Sequence, residues 1–90
     1  MVWFVYMLRC RGNRIYTGIT PDVAARFAKH RAGTGGAFTR AHPPSRILAA
    51  MACGTRSEAL KMEYALKQLA PGDKRRWARE WRWQARKAKR

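Results

Sequence analysis

The chain has 90 residues, enough for one domain with a modest core but not for two. Apolar residues make up 47% of it, which excludes a disordered chain, and no apolar run is long enough to span a membrane. Twenty Lys and Arg against five Asp and Glu give a formal net charge of +15, so we expect a polyanionic partner, with nucleic acid favoured over an anionic membrane surface.

The cysteines and the first residues of the chain bear on its compartment. Cys10 and Cys53 form no C-x-x-C pair. The first residues lack the basic region and the cleavage site of a signal peptide. We therefore expect both thiols to be reduced and buried, and we expect a cytoplasmic protein.

The first twenty residues predict a β-hairpin. Residues 2–9 are aromatic and β-branched, which is typical of a short buried strand. Arg11-Gly12-Asn13 favours a turn because Gly and Asn tolerate positive φ. Arg14 to Ile19 is then the second strand.

A helix and a loop are predicted next. Thr20-Pro21-Asp22 favours a helix start, with Thr20 as N-cap, a proline in the first helical position and an acid in the first turn. The helix is expected to run to about Arg31. Residues 33–44 contain three glycines and two prolines, and this composition predicts a loop.

The second half of the chain predicts a third strand and two further helices. Arg46 to Cys53 is the strand. Thr55-x-x-Glu58 is a capping box that opens a helix ending near Ala70. Pro71-Gly72-Asp73 is expected to break that helix, and the residues from Lys74 onward are compatible with a last one.

These elements predict an α/β (α+β) fold. We expect a small, three-stranded, mainly antiparallel sheet flanked by helices, in the order β-β-α-β-α-α. Residues 1–72 would form the main domain. Residues 73–90 would be a basic, Trp- and Arg-rich helical extension of the same domain.

The predicted hairpin places two tyrosines on one face. With residues 11–13 as the loop, Tyr6 lies opposite Gly18, and Tyr6 and Tyr16 become diagonal neighbours, about 7–8 Å apart at the backbone. Gly18 would leave open space beside the Tyr6 ring, as glycines do where a ligand approaches closely. Taken alone, the pattern also fits two structural tyrosines.

The first predicted helix turns two polar side chains toward the sheet. Val23, Arg26, Phe27 and His30 share one helical face, and the two apolar members anchor that face on the sheet. Arg26 and His30 would therefore lie at the margin between helix and sheet. A structural role for both is an open alternative.

Glu63 lies in the apolar stripe of the helix predicted over 55–70. A buried carboxylate must be paired with a cation or bind a metal, because burying it alone is too costly. The metal reading and an ion pair, for example with Arg26, both remain open at this point.

Together these residues match a known pattern. Val5-Tyr6-Met7 followed by Tyr16-Thr17-Gly18 resembles the paired motif of the GIY-YIG nuclease superfamily. Arg26, His30 and Glu63 fall where that superfamily places its further site residues. The segment 33–40 is similar to a loop of its small stand-alone bacterial members. The resemblance covers about residues 3–70.

The resemblance implies an endonuclease that hydrolyses phosphodiester bonds in nucleic acid with one divalent ion, Mg²⁺ or Mn²⁺, and we favour DNA over RNA as its substrate. Glu63 would bind the metal. Tyr6 would be the general base, with its pKa lowered by its neighbours and by the metal. Tyr16 would orient the water or the phosphate, Arg26 would bind phosphate oxygens, and His30 would relay a proton or bind phosphate.

The remaining basic residues predict contacts with nucleic acid. The expected set is Lys29, Arg40, Arg75, Arg76, Arg79, Arg82 and Trp83. Trp83 would stack on an unpaired base, although packing or a dimer contact is the alternative for it. A non-catalytic nucleic-acid-binding protein that keeps the fold is the competing function, and we expect neither a membrane nor a small-molecule cofactor as partner.

Overall fold

The computed structural model describes residues 2–83. Three strands form an antiparallel sheet with the order β2-β1-β3, which confirms the predicted fold class. The elements are β1 (Trp3–Cys10), β2 (Arg14–Thr20), α1 (Val23–Arg31), α2 (Ala37–Ala41), β3 (Pro44–Cys53), α3 (Arg56–Lys67) and α4 (Pro71–Glu80).

The hairpin has the predicted register. Cys10 pairs with Arg14, and Tyr6 pairs with Gly18. The turn closes because Gly12 and Asn13 take left-handed conformations, with φ of 76° and 60° respectively.

Alternation along β1 divides the core into two layers. Val5 and Met7 face one side and pack with the buried residues of α3 and α4, such as Leu66. Tyr6 and Leu8 face the other side, which α1 covers. The helices of the two halves of the chain thus lie on opposite faces of one sheet.

The segment 33–44, predicted as a loop, contains the short helix α2. Its residues carry neither Gly nor Pro, so one helical turn forms between Gly36 and Pro43. This turn places Thr39 in the interior, where it is 1% exposed.

The prediction that Thr20 caps α1 is wrong. Thr20 is the last residue of β2, and its hydroxyl accepts a hydrogen bond from the Asp22 N–H at 3.1 Å. Asp22 is the N-cap, since its carboxylate accepts from the Ala25 N–H at 3.1 Å.

Thr55 is the N-cap of α3 as predicted, because its hydroxyl accepts from the Glu58 N–H at 3.1 Å. The reciprocal bond of the box is shifted by one residue, since the Glu58 carboxylate accepts from the Gly54 N–H at 2.9 Å. The helix ends at Lys67, earlier than predicted. Pro71 separates the two helices as expected, and it is itself the first residue of α4, a position where its missing N–H costs nothing.

The chain after α4 runs along the outer edge of β3. The Ala50 N–H donates to the Trp81 carbonyl at 3.1 Å, and the Trp83 N–H donates to the Leu48 carbonyl at 2.8 Å. The part of the predicted extension over residues 84–90 lies outside the described residues. Cys10 and Cys53 are buried free thiols, as predicted. None of the helices within residues 2–83 is long and apolar enough to cross a membrane.

Candidate active site

Tyr6 lies at the centre of a buried polar cluster. Its strand, β1, is the middle strand of the sheet, and its side chain is 1% exposed. The Tyr6 hydroxyl and His30 Nε2 are 3.0 Å apart, a hydrogen-bond distance. The sheet face of β1 and the inner face of α1 therefore bring these two predicted residues together.

His30 is held from its other side by a residue that the sequence did not predict. The His30 Nδ1 atom is 2.7 Å from the Thr39 hydroxyl oxygen. Thr39 lies on α2, and its hydroxyl donates to the Gly36 carbonyl at 3.4 Å. Both ring nitrogens of the 1% exposed His30 thus have partners.

The distances fit either neutral tautomer of His30, since each ring nitrogen can donate or accept. In one of them, Thr39 donates to the Gly36 carbonyl and its oxygen accepts the proton on His30 Nδ1. His30 Nε2 then has a lone pair, which accepts the Tyr6 hydroxyl proton. Burial lowers the pKa of His30, and the positive charge of Arg26 lowers it further, which agrees with a neutral ring.

Burial also decides the state of Tyr6. It raises the pKa of Tyr6 well above the usual value for a phenol, and the nearby Tyr16 raises it further. The half-buried Arg26 acts in the opposite direction through its charge and its hydrogen bonding, but its effect is smaller. The expectation that the residues around Tyr6 lower its pKa is therefore wrong for the protein groups described, because desolvation outweighs the single cation.

Tyr16 forms the outer part of the cluster. Its ring centroid lies 6.2 Å from that of Tyr6, 4.9 Å from that of His30 and 5.9 Å from that of Phe38. Tyr16 is half-buried and Phe38 is exposed, so the cluster meets solvent on this side.

Two glycines make the close packing achievable. A Cβ atom on Gly18 would lie 2.8 Å from the Tyr6 hydroxyl oxygen and 3.0 Å from Cε2 of Tyr16. The space at Gly18, expected to admit a ligand, is thus filled by the two tyrosine rings. A Cβ atom on Gly35 would collide with the His30 ring in the same way. Gly35 lies in the segment between α1 and α2 and closes that loop over the imidazole.

The structure places Glu63 on a different element and a different layer. α3 packs its buried residues Ala59 and Leu66 against the Val5 and Met7 face of the sheet, opposite the face that carries Tyr6. Glu63 belongs to the inward half of this helix, as predicted, and its side chain is 19% exposed.

The partner of Glu63 is Lys67. The carboxylate lies 3.2 Å from the Lys67 ammonium, one helical turn away on the same helix. Arg26, considered above as an ion-pair partner, instead lies beside Tyr6. Because Lys67 is largely exposed, the pair costs little to break.

Glu63 is a chemically suitable but sparse metal ligand. Within residues 2–83, no group of three or more His, Cys, Asp or Glu side chains is close enough to hold a metal ion. Mg²⁺ prefers oxygen ligands and commonly keeps several waters beside one or two carboxylates. The donor chemistry of Glu63 fits such an ion.

The predicted nucleic-acid contacts separate into two groups. Lys29 and Arg40 are exposed on α1 and α2, the helices that contribute to the Tyr6 cluster. Arg75, Arg79, Arg82 and Trp83 instead line one cleft beside α4, together with Arg9 and Arg46, which were not predicted. Arg76 does not line that cleft and pairs with Asp73 at 3.6 Å.

Comparison with known proteins agrees with this architecture. The family described as the GIY-YIG catalytic domain matches residues 2–76. A UPF0213 protein of Cupriavidus pinatubonensis is 50% identical over 72 residues, which cover 80% of each chain. A UPF0213 protein of Cronobacter sakazakii is 47% identical over 72 residues, 80% of this chain and 76% of the relative. The solution NMR structure of a UPF0213 protein from Bacillus halodurans superimposes with a TM-score of 0.57 at 36% identity, covering 89% of this chain and 85% of that one.

Proposed function

Because the chain belongs to the GIY-YIG family, we propose that it is a metal-dependent endonuclease that hydrolyses phosphodiester bonds in nucleic acid, with DNA favoured over RNA as the substrate. The observation that carries this proposal is the buried hydrogen bond between Tyr6 and His30. A phenol donating to a neutral imidazole is a proton path, and general bases in enzymes are arranged in this way.

The proposed reaction starts with a proton relay. The attacking water loses a proton to the Tyr6 oxygen while the Tyr6 proton moves to His30 Nε2. The hydroxide oxygen bonds to phosphorus, the bond to the leaving oxygen breaks, and that oxygen takes a proton from solvent. The charged His30 then returns its added proton to solvent through Tyr6, which its lowered pKa favours. Tyr6 remains neutral overall, so its raised pKa does not prevent this route.

Arg26 and Tyr16 would position the reacting groups. Tyr6 is 1% exposed, so the water must reach its hydroxyl from the side bordered by Arg26 and the half-buried Tyr16. A guanidinium at this place stabilises the charge that develops on the phosphate oxygens. Tyr16 would orient the water or the phosphate with its hydroxyl.

The metal would be held by Glu63. Because α3 packs on the face of the sheet opposite Tyr6, the substrate would have to pass from one layer to the other for a Mg²⁺ or Mn²⁺ at Glu63 to lend its positive charge to the phosphate beside Tyr6. Lys67 would have to release the carboxylate first, which its exposed, same-helix geometry permits at low cost.

A nucleic-acid-binding protein without activity is the second candidate. The arginine-lined cleft beside α4 would serve such a protein equally well. The Tyr6 cluster favours the enzyme, because binding alone has no use for a buried chain of three hydrogen-bonded polar side chains from β1, α1 and α2.

Tyr6→Phe tests the proposed function. The ring still fills its place against Gly18, and only the hydroxyl of the relay is lost. We expect cleavage of labelled DNA in Mg²⁺ or Mn²⁺ to fall about 100-fold or more, in line with the usual effect of a general base. Wild-type cleavage should stop when EDTA replaces the metal.

Tyr16→Phe is the matched control, since it removes the other tyrosine hydroxyl of the cluster. We expect a smaller loss for this variant, because Tyr16 orients and does not relay. Full activity in Tyr6→Phe with loss in Tyr16→Phe would transfer the base role to Tyr16. Wild-type protein that cleaves neither DNA nor RNA in any metal would leave the binding protein as the function.

A further inference from the structure

A second charged feature lies away from the Tyr6 cluster. It is a cleft of about 520 Å³, and five arginines line it: Arg9, Arg46, Arg75, Arg79 and Arg82. We call it the arginine cleft. Its arginines come from β1, β3, α4 and the chain that follows α4, and β2 adds Ile15 to the lining.

The arginine cleft lies mainly on the opposite face of the sheet from Tyr6 and reaches the outer edge of β3, where Ile47 and Trp83 pack with the layer of Tyr6 and Leu8. Arg9 pairs across the sheet with Ile15 on one side and with Arg46 on the other, and cross-strand partners share a face. Ile15 packs against the layer of Val5 and Met7. The two strand arginines therefore project from that layer, whereas Tyr6 belongs to the other one.

The charges of the cleft are not neutralised by the protein. Among residues 2–83, no Asp or Glu lines it. Asp73 of the adjoining helix pairs with Arg76, outside the cleft. Arg75 donates to the Asn13 carbonyl at 3.3 Å, a contact that orients its guanidinium but leaves its charge.

Such an arrangement favours a bound anion. Arg9 and Arg46 are cross-strand partners, and like charges placed directly opposite each other in a sheet experience repulsion. An anion in the cleft would relieve it and would accept paired hydrogen bonds from the guanidinium groups.

We infer that the arginine cleft binds the phosphates of a nucleic-acid strand at a distance from the cleavage site. This inference rests on the proposed function for the identity of the polyanion. Five cations spread over three elements suit a run of successive phosphates better than one small anion. Trp83, at the same cleft, adds an aromatic surface beside them.

The position of the cleft predicts a dependence on strand length. The shortest dimension of the molecule is 22 Å. At the 3.4 Å spacing of a stacked strand, about seven nucleotides are needed to cover that distance, and a path around the sheet edge needs more. A six-nucleotide strand can occupy one site at a time, whereas a 30-nucleotide strand can reach both.

The test compares Arg46→Ala and Arg79→Ala with Lys61→Ala. Lys61 is exposed on α3 and does not line the cleft, and each variant removes one positive charge. Binding of fluorescein-labelled strands of 6 and 30 nucleotides is measured by anisotropy in EDTA, over a series of salt concentrations, after circular dichroism has shown that each variant is folded.

We expect Arg46→Ala and Arg79→Ala to weaken binding of the 30-nucleotide strand about fivefold or more. Each should also reduce the salt dependence by about one phosphate contact. Lys61→Ala should change the affinity less than twofold. The advantage of the 30-nucleotide strand over the 6-nucleotide one should shrink in both cleft variants.

Equal losses in all three variants would overturn the inference, since they would show that only net charge matters. An undiminished length advantage in the cleft variants, or a cleft filled equally well by a free nucleotide, would also overturn it. Binding in EDTA needs no cleavage. An inactive protein with arginine-dependent binding therefore contradicts the proposed function alone, and an active protein indifferent to these arginines contradicts this inference alone.

Discussion

The Tyr6 cluster and the arginine cleft share the strand β1 but differ in burial and in charge. Tyr6 and Arg9 belong to β1 and face opposite layers of the sheet. The cluster is buried and neutral, with partners for both nitrogens of His30. The cleft is lined by five cations and by no acid among residues 2–83.

The Tyr6 cluster would position the reacting groups, whereas the arginine cleft would attract the polyanion. A proton relay depends on hydrogen-bond distances near 3 Å, so a single lost atom should abolish it. Attraction of a polyanion depends on the summed charge, so losses should be graded and sensitive to salt. A residue that lies outside both regions but is required for cleavage would show that these two regions alone do not account for the activity.

Glu63→Gln is that test, and we expect the largest effect from it. The amide keeps the shape of the side chain but removes the charge that would hold a divalent ion. Cleavage should fall at least about 100-fold, the order of magnitude of a lost charge-stabilising group. Nucleic-acid binding should persist or tighten. Stability should change by less than about 0.5 kcal/mol, because an i, i+4 pair whose Lys67 end is largely exposed contributes little.

Lys67→Gln is the matched control for this variant. It breaks the same ion pair but leaves the carboxylate, so cleavage should stay close to that of the wild type. Melting temperature and Mn²⁺-dependent cleavage are measured on the same samples. A destabilised Glu63→Gln protein with wild-type specific activity would remove the metal role and leave Glu63 as a structural residue.

Thr39→Val sharpens the comparison from within the cluster. Valine has nearly the shape of threonine but cannot accept the His30 Nδ1 proton, so the imidazole loses its fixed tautomer and orientation. We expect kcat to fall about tenfold, equivalent to about 1.4 kcal/mol of lost transition-state stabilisation. Binding to a long strand in EDTA should not change.

Thr39→Ser restores the hydroxyl without the methyl group and should recover most of the activity. Rescue by serine separates a hydrogen-bond role from a packing role. If valine and serine are equally impaired, Thr39 serves only to fill space beside His30, and the assigned tautomer loses its support.

The sequence predicted the parts of the cluster that depend on local geometry. A three-residue turn fixes the hairpin register, and this register sets Tyr6 opposite Gly18. Helical periodicity turns His30 inward, and it is 1% exposed as a result. These relations span few residues. They follow from the two-residue repeat of a strand and the 3.6-residue repeat of a helix, so they can be predicted from the sequence.

The rest depends on contacts between distant segments. Thr39 reaches His30 only because α2 folds within a stretch that its composition marks as loop. Arg9 and Arg46 lie far apart in sequence, and the pairing of β1 with β3 brings them together. The raised pKa of Tyr6 follows from the burial of its hydroxyl, and the sequence pattern does not predict how deeply a side chain is buried.

The smallest expected effect is a difference in pH dependence between the two regions. Burial and the charge of Arg26 lower the pKa of His30, which faces Tyr6 on β1, Tyr16 on β2 and Thr39 on α2. As pH falls below about 6.5, the unfolded chain takes up a proton on this residue before the folded protein does, so the stability of the fold decreases.

The same protonation fills the lone pair that accepts the Tyr6 proton, and cleavage should decline as His30 becomes charged. No Asp, Glu or His among residues 2–83 lines the arginine cleft, so binding of a 30-nucleotide strand in EDTA should be constant from pH 5 to 8. Melting temperature, cleavage rate and anisotropy recorded over that range, with His30→Gln as the variant that lacks the titrating group, test this separation. If binding follows the same curve as stability, the two regions are coupled and the separation between positioning and attraction fails.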